Sequence, residues 1–102
     1  MQMDSKQFNI TASESPKVMT SNIRALKHHI GVKTTGTAGA LKIQAKAPGS
    51  ATFEDIPDAT AIDLSAPVSV QVEGAIAEFL FTVSGATATD VITATVSFEV
   101  ND

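Results

Sequence analysis

Residues 91–100 run Val91-Ile-Thr-Ala-Thr-Val-Ser-Phe-Glu-Val100, and in them Ile92, Ala94, Val96, Phe98 and Val100 alternate with Thr93, Thr95, Ser97 and Glu99. Successive side chains of a strand point to opposite faces, so this pattern describes a strand with one buried and one wet face. Leu41–Ala47 repeats it with Lys42, Gln44 and Lys46 outward, and Val68–Glu73 repeats it again. Ala75–Val83 is apolar on both sides at its centre, with Phe79 and Phe81 on one face and Ile76 and Leu80 on the other. That composition predicts a central strand covered twice, with room for a neighbouring subunit as the second cover. The Glu73-Gly74 step before it predicts a tight hairpin.

Upstream, Leu26–Lys33 places Leu26, His28, Ile30 and Val32 on one side. A strand is the preferred reading. The alternative is a helix over Ser21–Ile30, capped by Ser21 or Asn22 and stopped by Gly31. Phe8–Ala12, Ala61–Leu64 and Lys17–Thr20 are shorter strand candidates. Segments 13–16, 34–39, 47–50, 54–59 and 84–90 supply the Gly, Pro, Asp and Ser of chain reversals. About eight short strands at this spacing predict an all-β fold, an antiparallel β-sandwich or jelly roll. A chain of 102 residues is one domain by size, spanning 1–102, with residues 1–22 as an arm or edge strand.

Charge is segregated along the chain. Residues 1–53 hold all seven cations against two carboxylates, a balance of +5, whereas residues 54–102 hold nine carboxylates and no Lys or Arg. Such a body is held by its own complementarity or stacks against neighbours. The net charge of −4 and the pI near 4.9 argue against nucleic acid as a partner, because cations along phosphates supply most of that affinity. The 43% apolar content marks an ordered globular chain. No cysteine is present, so stability must come from packing or assembly. No apolar run approaches membrane-spanning length and the first residues lack a secretory pattern, which predicts a soluble protein without a cleaved signal and no membrane partner.

No constellation for turnover can be assembled from spacing. His28 and His29 are adjacent and face opposite ways on a strand, so they cannot share one metal; one is expected half-buried beside Leu26 and Ile30, the other in solvent. Glu54, Asp55, Asp58 and Asp63 form the densest acidic cluster, in a loop pinned by Phe53 and Ile56. Oxygen-rich loops can hold calcium, but this spacing lacks the Gly and closing Glu of an EF-hand, and a solvated loop is the simpler reading. There is no nucleophile elbow and no phosphate-binding glycine loop. Neither an enzyme nor a bound cofactor is expected. Tyr and Trp are absent, so a small tight interface is disfavoured against a broad self-complementary one, strand addition at an edge, or many copies acting together.

The stretch from Gly49 to Gly85, with Phe53-Glu-Asp-Ile-Pro57, Ile62-Asp-Leu-Ser65 and a Val-rich run ending in Ser84-Gly85, resembles small virion proteins of tailed bacteriophages. The likeness covers about a third of the chain, and residues 1–48 lie outside it. It implies a capsid decoration (cement) protein, or a small tail or fibre component, with no catalytic residues. The expected function is therefore that of a virion structural protein, made in the host cytoplasm. It would bind the phage coat lattice as a homo-oligomer, with a trimer as one candidate form. Ile76 and Leu80 are the candidate residues for joining copies, and Lys27, Lys33, Lys42 and Lys46 for matching charge on the shell. The alternatives are a tail-spike or receptor-binding β module and a small cytoplasmic regulator that binds a host protein.

Overall fold

The computed structural model describes residues 2–21, 24–36, 38–87 and 90–100. Among the described residues nine strands are formed: β1 (Gln2–Thr11), β2 (Lys17–Thr20), β3 (Ala25–Thr34), β4 (Ala40–Lys46), β5 (Glu54–Asp55), β6 (Ile62–Asp63), β7 (Val68–Glu73), β8 (Glu78–Ser84) and β9 (Val91–Val100). Sheet A has the order β1-β9-β3-β7, and sheet B the order β2-β8-β4-β5, with β6 also paired to β4. The chain is an all-β antiparallel sandwich. Its partners are nested: β1 with β9, β2 with β8, β3 with β7, and β4 with the short β5 and β6, alternating between the two sheets. This is a long hairpin rolled into two layers, the arrangement of a jelly roll.

Alternation puts one face of each strand into a common core. Ile92, Ala94, Val96 and Phe98 of β9, Leu41 and Ile43 of β4, and Phe79 and Phe81 of β8 are all fully buried. Aromatic rings join the layers: Phe8 of β1 lies 5.3 Å from Phe81, and His28 of β3 lies 5.4 Å from Phe79 in an edge-on contact. Such contacts add to the area burial that holds small sandwiches together.

The preferred strand reading of the segment around Leu26–Lys33 holds, and two local expectations are corrected. Residues 25–34 are strand, so the helix over Ser21–Ile30 does not form; Asn22, its alternative cap, lies outside the described residues. Leu26 is 54% exposed and not beside His28, because a bulge between Ala25 and Lys27 breaks the alternation and sends Ala25 inward instead. The Glu73-Gly74 hairpin is absent, since β7 pairs with β3 in sheet A and β8 with β2 and β4 in sheet B. Gly74 (φ +100°) instead starts a crossing between layers. Its N–H donates to the Leu26 carbonyl at 2.8 Å, and Ala77 N–H donates to the Lys46 carbonyl at 2.8 Å. Ile76 drops between these anchors into the core, so β8 begins only at Glu78. Glu73 and Glu78 accordingly lie on different sheets rather than across a hairpin.

Candidate functional site

The expected interface residues divide among three places. Ile76 belongs to the intramolecular core, 7% exposed, which removes it from any surface that could join copies. Leu80 faces outward on sheet B, where register places it between Val18 of β2 and Gln44 of β4. Val18 is 44% exposed, so the two make a small apolar spot. Lys42 and Lys46 share this outer face on β4, whereas Lys27 and Lys33 stand on β3 on the outer face of sheet A. One continuous basic patch is not formed.

Most of these cations already have partners. Lys46 Nζ lies 2.7 Å from Glu78 and 5.1 Å above the Phe53 ring. Lys42 Nζ lies 3.4 Å from Asp55, whose Oδ1 also accepts from Gln44 Nε2 at 2.9 Å. Lys27 Nζ is 3.9 Å from Glu99 and stands across from Glu73 in the β3–β7 register. Lys33 alone of the four has no ion pair among the described residues. The nested topology explains the pattern. Every strand pairing joins one of β1–β4 to one of β5–β9, so the basic early strands are laid beside acidic late ones. Segregation along the chain becomes neutralisation across the sheet, and the two halves are not separate poles.

The acidic loop behaves likewise. Asp63 Oδ1 accepts from Ser65 N–H at 2.9 Å, which lowers its pKa, and no three described His, Asp or Glu converge as a metal site would require. Ile56 anchors the loop in the core, but Phe53 sits half-exposed under Lys46 and is not a second core anchor.

The histidines separate by face. His29 is partly exposed and lies 3.7 Å from Glu99, while His28 is fully buried rather than half-buried. Its ring is edge-on to both Phe79 and Phe98, and Nε2 shares a 3.1 Å hydrogen bond with Ser21 Oγ. Nδ1 makes no hydrogen bond of ordinary geometry. Burial pushes the His28 pKa down by penalising the charged ring; the Val72 carbonyl opposes this and neighbouring His29 adds to it. Ser21 and His28 are 6% and 0% exposed, so this contact is sealed within the fold.

Sequence reasoning named Ser21 and Gly31 only as cap and stop of an alternative helix, and Val18 only within a short strand; it gave none of them a place in a site. Nothing in the sequence announces Ser21, which meets His28 only through folding. Gly31 had a visible signal: it interrupts the outward series of β3 between Ile30 and Val32. The outer face of sheet A at Gly31 forms an open concavity of about 410 Å³, lined by Gly31, Lys33, Val68, Ser69, Thr93 and Thr95.

No protein-family model matches the sequence, and no curated protein is similar to it. Solved structures resemble it in fold. A protein of the disulfide-linked pili that form Bacillus endospore appendages is 15% identical with a TM-score of 0.61, covering 98% of this chain and 88% of its own. The SPBc2 prophage-derived protein YomS is 13% identical with a TM-score of 0.65, covering 97% and 96%. The Yersinia pseudotuberculosis-derived mitogen is 9% identical with a TM-score of 0.53, covering 99% and 88%. At such identities the likeness is one of fold, and the chain shares its two-layered β architecture with a pilus protein, a prophage protein and a mitogen.

Proposed function

We infer that this chain is a non-enzymatic structural protein of a phage virion, a decoration protein that attaches in many copies to a coat lattice and reinforces it. The observation that supports this reading best is the composition of the two outer faces. They carry paired charges, hydroxyls and amides on a rigid sandwich, and the nucleophile–base contact of Ser21 with His28 lies enclosed in the core. The fold shared with a pilus protein and a prophage protein is in keeping with it, although a common fold alone does not assign function.

Local charge pairing changes the expected mechanism. Attachment does not use a basic half as one pole. Lys27, Lys42 and Lys46 are neutralised within the sheets, and the unpaired excess is acidic, in line with the net charge of −4. Individually weak contacts summed over a lattice then supply the affinity. Sedimentation with purified empty shells provides the test. Saturable binding that weakens between 50 mM and 500 mM salt is the expected result. Absence from the shell pellet, together with absence from purified virions, would refute the reading.

A further inference from the structure

Gly31 sits in the middle of a ten-residue strand with an ordinary strand backbone, outside the left-handed region. A Cβ built on it would meet nothing within 4 Å. Glycine in a strand interior costs stability, and where neither backbone nor neighbours require it, it marks a place that another chain approaches closely. Around it the outer face of sheet A is a carpet of small polar groups. Thr95 stands across from Gln7 and Gly31, and Gly31 across from Ser69; Ser97 stands across from Ser5 and His29, and His29 across from Gln71. Charge is confined to the two ends. Lys33 is at one end, without an ion pair among the described residues. The row Lys27, Glu73 and Glu99 is at the other and carries one excess negative charge.

We propose that this face is a self-complementary contact between two copies of the chain, related by a two-fold axis that crosses β3 at the level of Ile30. Lys33 and Lys27 lie about 20 Å apart along β3 at the usual strand rise. A two-fold midway between them sets Lys33 of each copy over the partner's Lys27, between the flanking Glu99 and Glu73, so that each Lys33 meets a row with one excess negative charge. The same operation puts the Gly31 notch of each copy opposite the partner's His29, the ring that projects from β3 near the middle of the face. Knob and notch thus fit twice by symmetry.

The contact is small. Four strands at about 4.8 Å spacing over about 20 Å of length give roughly 400 Å² per copy. Stable complexes bury about 800 Å² per partner, so this pairing is weak in dilute solution and consequential in an array. The inference deepens the structural reading above and rests on it for its biological setting, but not for its test.

Sedimentation equilibrium of the native chain across protein concentrations should show a reversible monomer–dimer equilibrium that weakens with salt. Gly31→Thr should weaken dimerisation at least tenfold while raising the melting temperature, because the added side chain meets no internal atom and favours the strand. Charge reversal by Lys33→Glu should likewise weaken it at least tenfold. The chain lacks cysteine, so Thr95→Cys combined with Ser97→Cys, which the two-fold sets opposite each other on β9, should form intermolecular disulfides on mild oxidation, whereas Thr82→Cys on the outer face of sheet B should not. A chain that stays monomeric at the highest soluble concentration, or whose dimer is indifferent to Gly31→Thr, overturns the proposal. Dimerisation without attachment to shells would instead sink the virion reading and leave this contact standing.

Discussion

Acid should unfold this sandwich from its middle, and His28 should be the sensor. Its ring is fully buried between Phe79 and Phe98, with Nδ1 unsatisfied and Ser21 its hydrogen-bonding neighbour. The groups facing it from β7, β8 and β9 are Val72, Phe79 and Phe98, none of which titrates, while Glu73, Glu78 and Glu99 project to the outer faces. Burial holds the folded pKa below that of an unfolded histidine. Stability is therefore fully present above about pH 6.5, where neither state holds the proton, and is lost as the pH falls, because the unfolded chain takes up a proton that the folded chain refuses. One proton sets a limiting slope of about 1.4 kcal/mol per pH unit. In a domain of this size that is roughly 5–10 °C of melting temperature per unit.

Thermal unfolding followed by circular dichroism between pH 7.5 and 5 measures this slope. The exposed carboxylates held down by hydrogen bonds, Glu14 by Thr11 and Asp63 by Ser65, lose their contributions only below about pH 4.5, outside that window. His28→Gln, which cannot titrate, should flatten the slope. A flat profile in the native protein, or an unchanged slope in His28→Gln, would show that the buried ring does not control acid stability.

Two further outcomes follow from the same structure. Lys46→Glu should destabilise by about 1–2 kcal/mol, through loss of the Glu78 pair and the Phe53 contact plus like-charge repulsion across β4 and β8, and adding Glu78→Lys should restore most of it; urea titration of the double-mutant cycle reads the coupling. Ile76→Asp should abolish folding or cost more than about 4 kcal/mol, whereas Leu80→Asp should stay folded within about 1.5 kcal/mol, because the first buries a charge in the core and the second sits on an outer face.

The charge asymmetry illustrates what a linear reading can and cannot reach. It was visible as seven cations before residue 47 and nine carboxylates after residue 53, and both intramolecular and intermolecular uses fit it. Nested pairing decides for the first at Lys27, Lys42 and Lys46, and leaves Lys33 over. The site residues fared unevenly for the same reason. Leu80 and the lysines obey strand parity and face outward, but Ile76 has the parity of Leu80 and still enters the core, because it lies in a layer crossing where parity has no meaning.

Within the strands, the sequence by itself determined which residues turn inward. Period-two alternation is a local property: neighbouring side chains of an extended backbone must point opposite ways, and apolar ones avoid water wherever the strand ends up. It therefore specified β4, β7 and β9 nearly to the residue, and with them the all-β class. Which strands become neighbours was decided only by tertiary structure. Pairing distant segments depends on closing long loops and filling one shared core, and Glu73-Gly74, a hairpin by local chemistry, became a crossing once Ile76 and the two phenylalanines of β8 had to pack between layers. The buried histidine, the Gly31 notch and the cancelled charges all come from that choice of neighbours.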